Sequence, residues 1–390
     1  MHKNVSFGLA RLLLSGHFDY SLRTKDDKEE TTVKNIISSS QGNYSSFLEV
    51  SGTINSLIAK GGENHLRVLI TGVAGFVGSH LADFLVSQGY EVWGIVCPGS
   101  NYESVEHLRH NVRLVRCDVR DEQAVKKALV DSSSQYIYHL AARTVTFESR
   151  RCPRETYEVN FLGTVNVLEG ALALKESPHI LIPTSAEMYG DVSAGRAPLE
   201  ENEIFRPLHP YAVSKVAVHY LIQQYVRVHN LQVVEARAFN QIGPRQKLGF
   251  VVPDFAAQLA KVALGRDRNE IRVGNLKAQR DFLDVRDAVR AYVRLCEVGR
   301  PGEVYHVCSG IGVSIEDILK TLMKFVDVPV NVVIDPEKLR PIMAPILIGS
   351  NKKLVRETGW TPQIPLETSL RETFEFWLKN IEQEHTKGEA

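Results

Sequence analysis

The sequence predicts an α/β fold, a doubly wound parallel sheet with a smaller C-terminal lobe. Three observations predict it. From residue 66 onward, short apolar runs alternate with amphipathic stretches of helical period. The first apolar run leads into a turn of spaced glycines that opens a helix. The chain has 390 residues, 44% hydrophobic and 24% charged, the mix of a globular protein with a sizeable core.

Residues 1–64 are predicted to be a poorly ordered extension, since 19–64 are polar and without period. The leader begins without acids and carries Lys3, Arg11 and a short leucine cluster, a faint organelle-targeting pattern beside the plainer reading of a loose tail. Residues 66–70 then read as a buried strand, 78–88 as a helix and 91–96 as the next strand, a parallel βαβ unit. Strands follow at 112–116, 136–140, 179–183 and 232–238, and helices at 122–129, 160–173 and 210–229. Beyond Asn240 the pattern loosens into loops rich in Gly, Pro and Arg, with a last helix over 366–380. The expected division is a dinucleotide-binding (Rossmann) domain over 65–240, to which 275–310 return, and a substrate lobe from 241–274 and 311–390.

Lysine plus arginine equals aspartate plus glutamate at 46 each, which argues against nucleic acid or an acidic membrane surface as partner. No apolar run reaches the length of a membrane span. The five cysteines are odd in number and none form a CxxC pair, so neither a disulfide framework nor a metal site is expected. A reducing, cytoplasmic setting follows as the expectation.

The first βα turn holds Gly72, Gly75 and Gly78, with Phe76 and Val77 between the last two. Glycines at this spacing let a chain turn tightly, let backbone N–H groups approach a pyrophosphate, and let helix pack on strand. These five residues are the candidate cofactor loop. An acid about 20 residues on would bind the ribose of NAD, and an arginine the 2′-phosphate of NADP. The run from Val96 to Asn101 offers neither, so NAD and NADP stay equally open. Asp118, with Val119 beside it, ends the third strand and is a candidate for the adenine amino group or for capping its own loop.

Tyr211 and Lys215 stand four apart on a helix and so share one face. An ammonium near a phenol favours the phenolate and makes the tyrosine a usable acid or base near neutrality. Ser185 falls at the carboxyl end of the strand before, where its hydroxyl would meet a substrate oxygen. Glu187, two residues on, is a further candidate.

The glycine loop, Ser185, Tyr211 and Lys215, in this order and spacing, resemble the extended short-chain dehydrogenase/reductases that modify nucleotide sugars. The resemblance spans about 65–382. It implies that Ser185, Tyr211 and Lys215 form the catalytic triad and that Glu187 aligns with a base used in dehydratases. Asn160 matches a helix asparagine that supports the lysine, and Asn240, in Arg237-Ala238-Phe239-Asn240, a contact to the sugar diphosphate. Val252, Arg280 and Arg340 fall in further matching segments and are candidate substrate contacts, arginine being suited to diphosphates. Asp284 and Asp287 read as caps of the following helix.

The set is most similar to reductases of GDP-4-dehydro-6-deoxyhexoses. That implies NAD(P)H reduction of a C4 ketone, for example to GDP-rhamnose. The alternatives are a nucleotide-sugar dehydratase, epimerase or decarboxylase that retains its cofactor, and a non-catalytic binding protein. Ala186, where dehydratases usually have a polar residue, favours reduction. The departures are Gln241, where the reductases usually have histidine, and Arg340-Pro341, which lacks its following acid. The family usually dimerises through two long helices, here 160–173 and 210–229. Val216, Val218 and Leu221 fit either that interface or the core.

Overall fold

In the computed structural model, residues 66–192, 197–339 and 344–388 are described. Arg340 and the 1–64 leader lie outside them. Arg67–Thr71 (β1) leads through the glycine turn into Phe76–Ser87 (α1) and Glu91–Val96 (β2). Val112–Arg116 (β3), Glu122–Ser132 (α2) and Tyr136–His139 (β4) follow. Alternate residues of β1 bury on opposite faces. Val68 and Ile70 pack with Leu81 and Leu85 of α1, while Leu69 packs with Val125 and Leu129 of α2. A strand covered on both faces is apolar throughout, which is why it reads as a continuous run.

The expected helix over 160–173 is more broken. Thr146–Arg151 (α3) and Pro153–Tyr157 (α4) run into a π-helical turn, Glu158–Leu162, before Gly163–Leu172 (α5). His179–Ser185 (β5), Pro210–His229 (α6) and Gln232–Ala238 (β6) complete the alternation. Val304–Val307 (β10) adds an edge, giving a sheet in the order β10-β6-β5-β4-β1-β2-β3. Every pairing in it is parallel. The strand order reverses beside β1, so the crevice for a ligand opens at its carboxyl end.

Beyond Asn240 the expectation of loops is corrected. Asn240–Ile242 (β7), Val251–Ala263 (α7), Glu270–Val273 (β8), Gln279–Asp284 (β9) and Val285–Val298 (α8) precede β10. Gly312–Ser314 (β11), Ile315–Met323 (α9), Asn331–Ile334 (β12), Ile346–Leu347 (β13), Lys352–Thr358 (α10) and Leu366–Gly388 (α11) follow it. Short strands of three or four residues carry too little period to be read from sequence. β9 is the hub of a small sheet with β7, β11 and β13, whereas α8 packs on the large sheet. Of 275–310, therefore, β9 does not return to the parallel sheet and α8 and β10 do. A second core lies among α7, α9 and α11, through Phe255, Leu259, Ile318, Leu322, Leu370 and Phe374.

Candidate active site

The glycine turn is shaped by close approach. Gly72 takes φ +70°, and a Cβ there would meet the Ala141 backbone at 2.9 Å. A Cβ on Gly78 would lie 2.2 Å from the Gly72 carbonyl oxygen. Gly75 is exposed and caps α1 with no side-chain acceptor, and the first turn of α1 holds no acid. The first amides of α1, those of Phe76 and Val77 among them, therefore face outward without a capping group, the arrangement an anion such as a pyrophosphate fits. Phe76 and Val77 are half-buried.

At the adenine end of such a ligand, Asp118 is spoken for. It accepts from the backbone N–H of Arg120 at 2.9 Å and pairs with its guanidinium at 2.6 Å. That is the loop-capping alternative, and the paired arginine holds the Asp118 carboxyl below its ordinary value. Val119 is buried beside Gly163 and packs rather than presenting a polar group.

β5 ends in Ser185, and α6 starts at Pro210, so the strand end and the first turns of α6 meet. Tyr211 stands beside Ser185, near enough for the serine hydroxyl to lower its pKa. Lys215 donates to the Pro183 carbonyl at 2.8 Å, its Nζ 6.0 Å from the Tyr211 ring centre. The expected lowering of the tyrosine by lysine is corrected. Burial pushes Tyr211 up to about 12, and the neighbouring Ser185 hydroxyl is the opposing influence. Burial also lowers Lys215 to about 8, with Glu235 working against it. Away from water an ammonium loses its solvation, so the lysine is held close to neutrality.

Ser185 accepts from the Glu187 N–H at 3.2 Å and starts a short 3₁₀ turn, Ala186–Tyr189. Glu187 sits half-buried beside His209 Nε2, at 3.2 Å. Burial would raise Glu187, but the His209 bond and the charge of Arg280 hold it below its ordinary value. Arg280 comes from β9, so the small sheet reaches the same site. The structure thus brings together Ser185, Glu187, Tyr211, Lys215 and Arg280.

Three candidates sit elsewhere. Asn160, expected to support the lysine, is 1% exposed inside the π-helical turn. Its side chain clamps the Arg143 backbone from both sides, at 2.8 and 3.1 Å, and donates to Ser214 on α6 at 3.0 Å. Val252, 1% exposed, packs in the second core. Asn240 donates to the Asp281 carbonyl at 3.0 Å, joining β7 to β9. Of the two expected caps, Asp284 caps α8 through the Arg286 N–H, but Asp287 instead accepts from Gln363 and Ile364. Val218 is in the core, with Val216 and Leu221 half-buried.

Sequence reasoning missed His209. The signal was there, a polar side chain directly before a proline that opens a helix. Among the described residues no cluster of His, Cys, Asp and Glu fits a metal ion, and no helix is long and apolar enough to cross a membrane.

A GDP-6-deoxy-D-mannose reductase of Pseudomonas aeruginosa is 34% identical over 318 residues, covering 82% of this chain and 99% of that protein. The structure of RMD from the same organism, complexed with NADPH, superposes with a TM-score of 0.71 at 33% identity, covering 81% of this chain and 99% of that one. A UDP-glucose 4-epimerase of Thermus thermophilus, in complex with NAD, superposes with a TM-score of 0.71 at 27% identity over 80% of this chain and 99% of its own. The family model for GDP-mannose 4,6 dehydratase matches residues 69–373. With that match, the parallel sheet and the glycine turn, the chain belongs to the GDP-mannose 4,6-dehydratase family of extended short-chain dehydrogenase/reductases.

Proposed function

We propose that the protein reduces the C4 ketone of a GDP-4-dehydro-6-deoxyhexose at the expense of NAD(P)H. The observation that carries this is the grouping of Ser185, Tyr211 and a buried Lys215, the lysine Nζ 6.0 Å from the Tyr211 ring centre and tied to the Pro183 carbonyl, where β5 ends against the start of α6. The reductase likeness and the NADPH-bound neighbour support the substrate and the cofactor. The glycine turn and the open amides of α1 would hold the pyrophosphate, and a nicotinamide cofactor supplies hydride when bound. Ser185 orients the ketone oxygen. Tyr211, a neutral phenol with its pKa pushed up to about 12, holds the proton that oxygen takes up. Lys215, tied to Pro183, stands behind Tyr211 where it would meet the nicotinamide ribose. Arg280, on the small sheet and beside Glu187, would face the sugar diphosphate. We take 65–240 with 285–310 as the cofactor-binding part, and 241–284 with 311–390 as the substrate lobe.

A homodimer is part of this reading. Exposed apolar side chains fall on the two helical stretches the resemblance uses, Leu162 at 50%, Tyr220 at 62% and Val228 at 62%.

The test is absorbance at the reduced-nicotinamide band with purified protein, NADPH or NADH, and GDP-4-dehydro-6-deoxymannose. Loss that requires the keto sugar supports the reductase and ranks the cofactors. An unchanged band with the keto sugar epimerised, or with GDP-mannose offered in its place and dehydrated, would turn the reading to the redox-neutral relatives.

A further inference from the structure

His209 touches three parts of the site at once. Its Nδ1 accepts the Ala212 N–H at 3.2 Å and so caps α6. Its Nε2 meets Glu187 Oε2 at 3.2 Å. Its ring lies parallel to that of Tyr211, 3° apart with centres 6.0 Å distant. The side chain is 5% exposed. A helix amide can only donate, so Nδ1 must be bare. In the neutral ring the proton is then on Nε2, aimed at Glu187. The helix cap therefore selects the tautomer, and the tautomer orients the carboxylate. Arg280 acts on the same carboxylate from the small sheet.

We propose that His209 is a positioning residue that fixes Glu187 as an ionised hydrogen-bond acceptor, turned with Arg280 toward the sugar of the bound substrate. Held so, Glu187 receives a sugar hydroxyl and is a poor base for elimination. This deepens the reductase reading and rests on it for the identity of the sugar. Two nearby influences point the same way, since both the imidazole N–H and the guanidinium favour the charged carboxylate.

The test has two arms on the full chain. In the first, protein carrying ¹⁵N-histidine is read by long-range ¹H–¹⁵N correlation, with His209→Ser assigning the resonance. The expected signature is a protonated Nε2 and a bare Nδ1, with Nε2 shifting in Glu187→Gln. A proton on Nδ1, or a signal indifferent to Glu187→Gln, overturns the lock. The second arm is kinetic. Serine keeps an acceptor for the helix cap and removes the partner of Glu187. Glu187→Gln and His209→Ser are each expected to lower kcat/KM about tenfold, and the double variant no further than Glu187→Gln alone. A hundredfold loss in the double variant, or a His209→Ser enzyme that only melts earlier with kcat/KM intact, overturns the proposal. If the wild type leaves NAD(P)H untouched with the keto sugar, the reductase reading fails, while the tautomer still decides the lock.

Discussion

At the scale of single residues, burial sets the chemistry of Tyr211 and Lys215, while neighbouring groups override it at Glu187. Tyr211→Phe removes the hydroxyl that carries the proton, so kcat should fall by about 10²–10⁴ while NADPH binding, read by its fluorescence, stays within twofold. Lys215 has a folded pKa of about 8 against an ordinary 10.5. The unfolded chain holds the proton more tightly between those values, so this position adds stability as pH rises from 8 to 10.5. Thermal melts at pH 8 and 10 should show wild type gaining on Lys215→Met as the pH goes up. A gain that instead runs toward acid would contradict the assignment. Arg237 matched a turn motif in the sequence, yet it is buried at 0% and paired with the equally buried Glu235 at 2.8 Å. Thr184 and His219 donate to the same carboxylate. Arg237→Met should cost about 3–5 kcal/mol in denaturant titration, because it leaves a buried charge without its partner.

At the scale of elements, two short pieces of backbone carry the geometry. Gly78 lies under the Gly72 carbonyl, and no flexible side chain is there to move aside. Gly78→Ala should therefore loosen the β1–α1 turn, lowering NADPH affinity at least tenfold with a clear drop in Tm. Full affinity at an unchanged Tm would show that the turn absorbs a methyl group. The π-helical turn brings Asn160 inward to bind the loop after β4 and the start of α6 together. Asn160→Ala should cost about 1–3 kcal/mol, since the Arg143 backbone groups lose their partner. The sequence displayed Asn160 and its helix plainly, but the extra residue that turns a helix inward leaves no mark on periodicity. The glycine spacing was legible for the opposite reason, since only glycine meets those backbone constraints.

At the scale of the whole molecule, the reading calls for two copies joined along 160–173 and α6. Leu162→Glu with Tyr220→Glu should shift sedimentation from dimer to monomer at micromolar concentration, with far-ultraviolet dichroism unchanged. A wild type already monomeric would remove the interface. The amino-acid sequence by itself determined the parallel sheet, the glycine turn and the order Ser185, Tyr211, Lys215. Those features rest on local rules: strands buried on both faces, helices of fixed period, and backbone that only glycine fits. Tertiary structure alone decided the rest. It brought Arg280 on β9 to Glu187, made His209 the link from helix cap to carboxylate, withdrew Asn160 and Val252 from the crevice, and built a second core beyond Asn240. The physical reason is common to all four. A side chain's pKa, partner and exposure depend on what other elements place beside it, and those neighbours lie about 20 to 100 residues away in the chain.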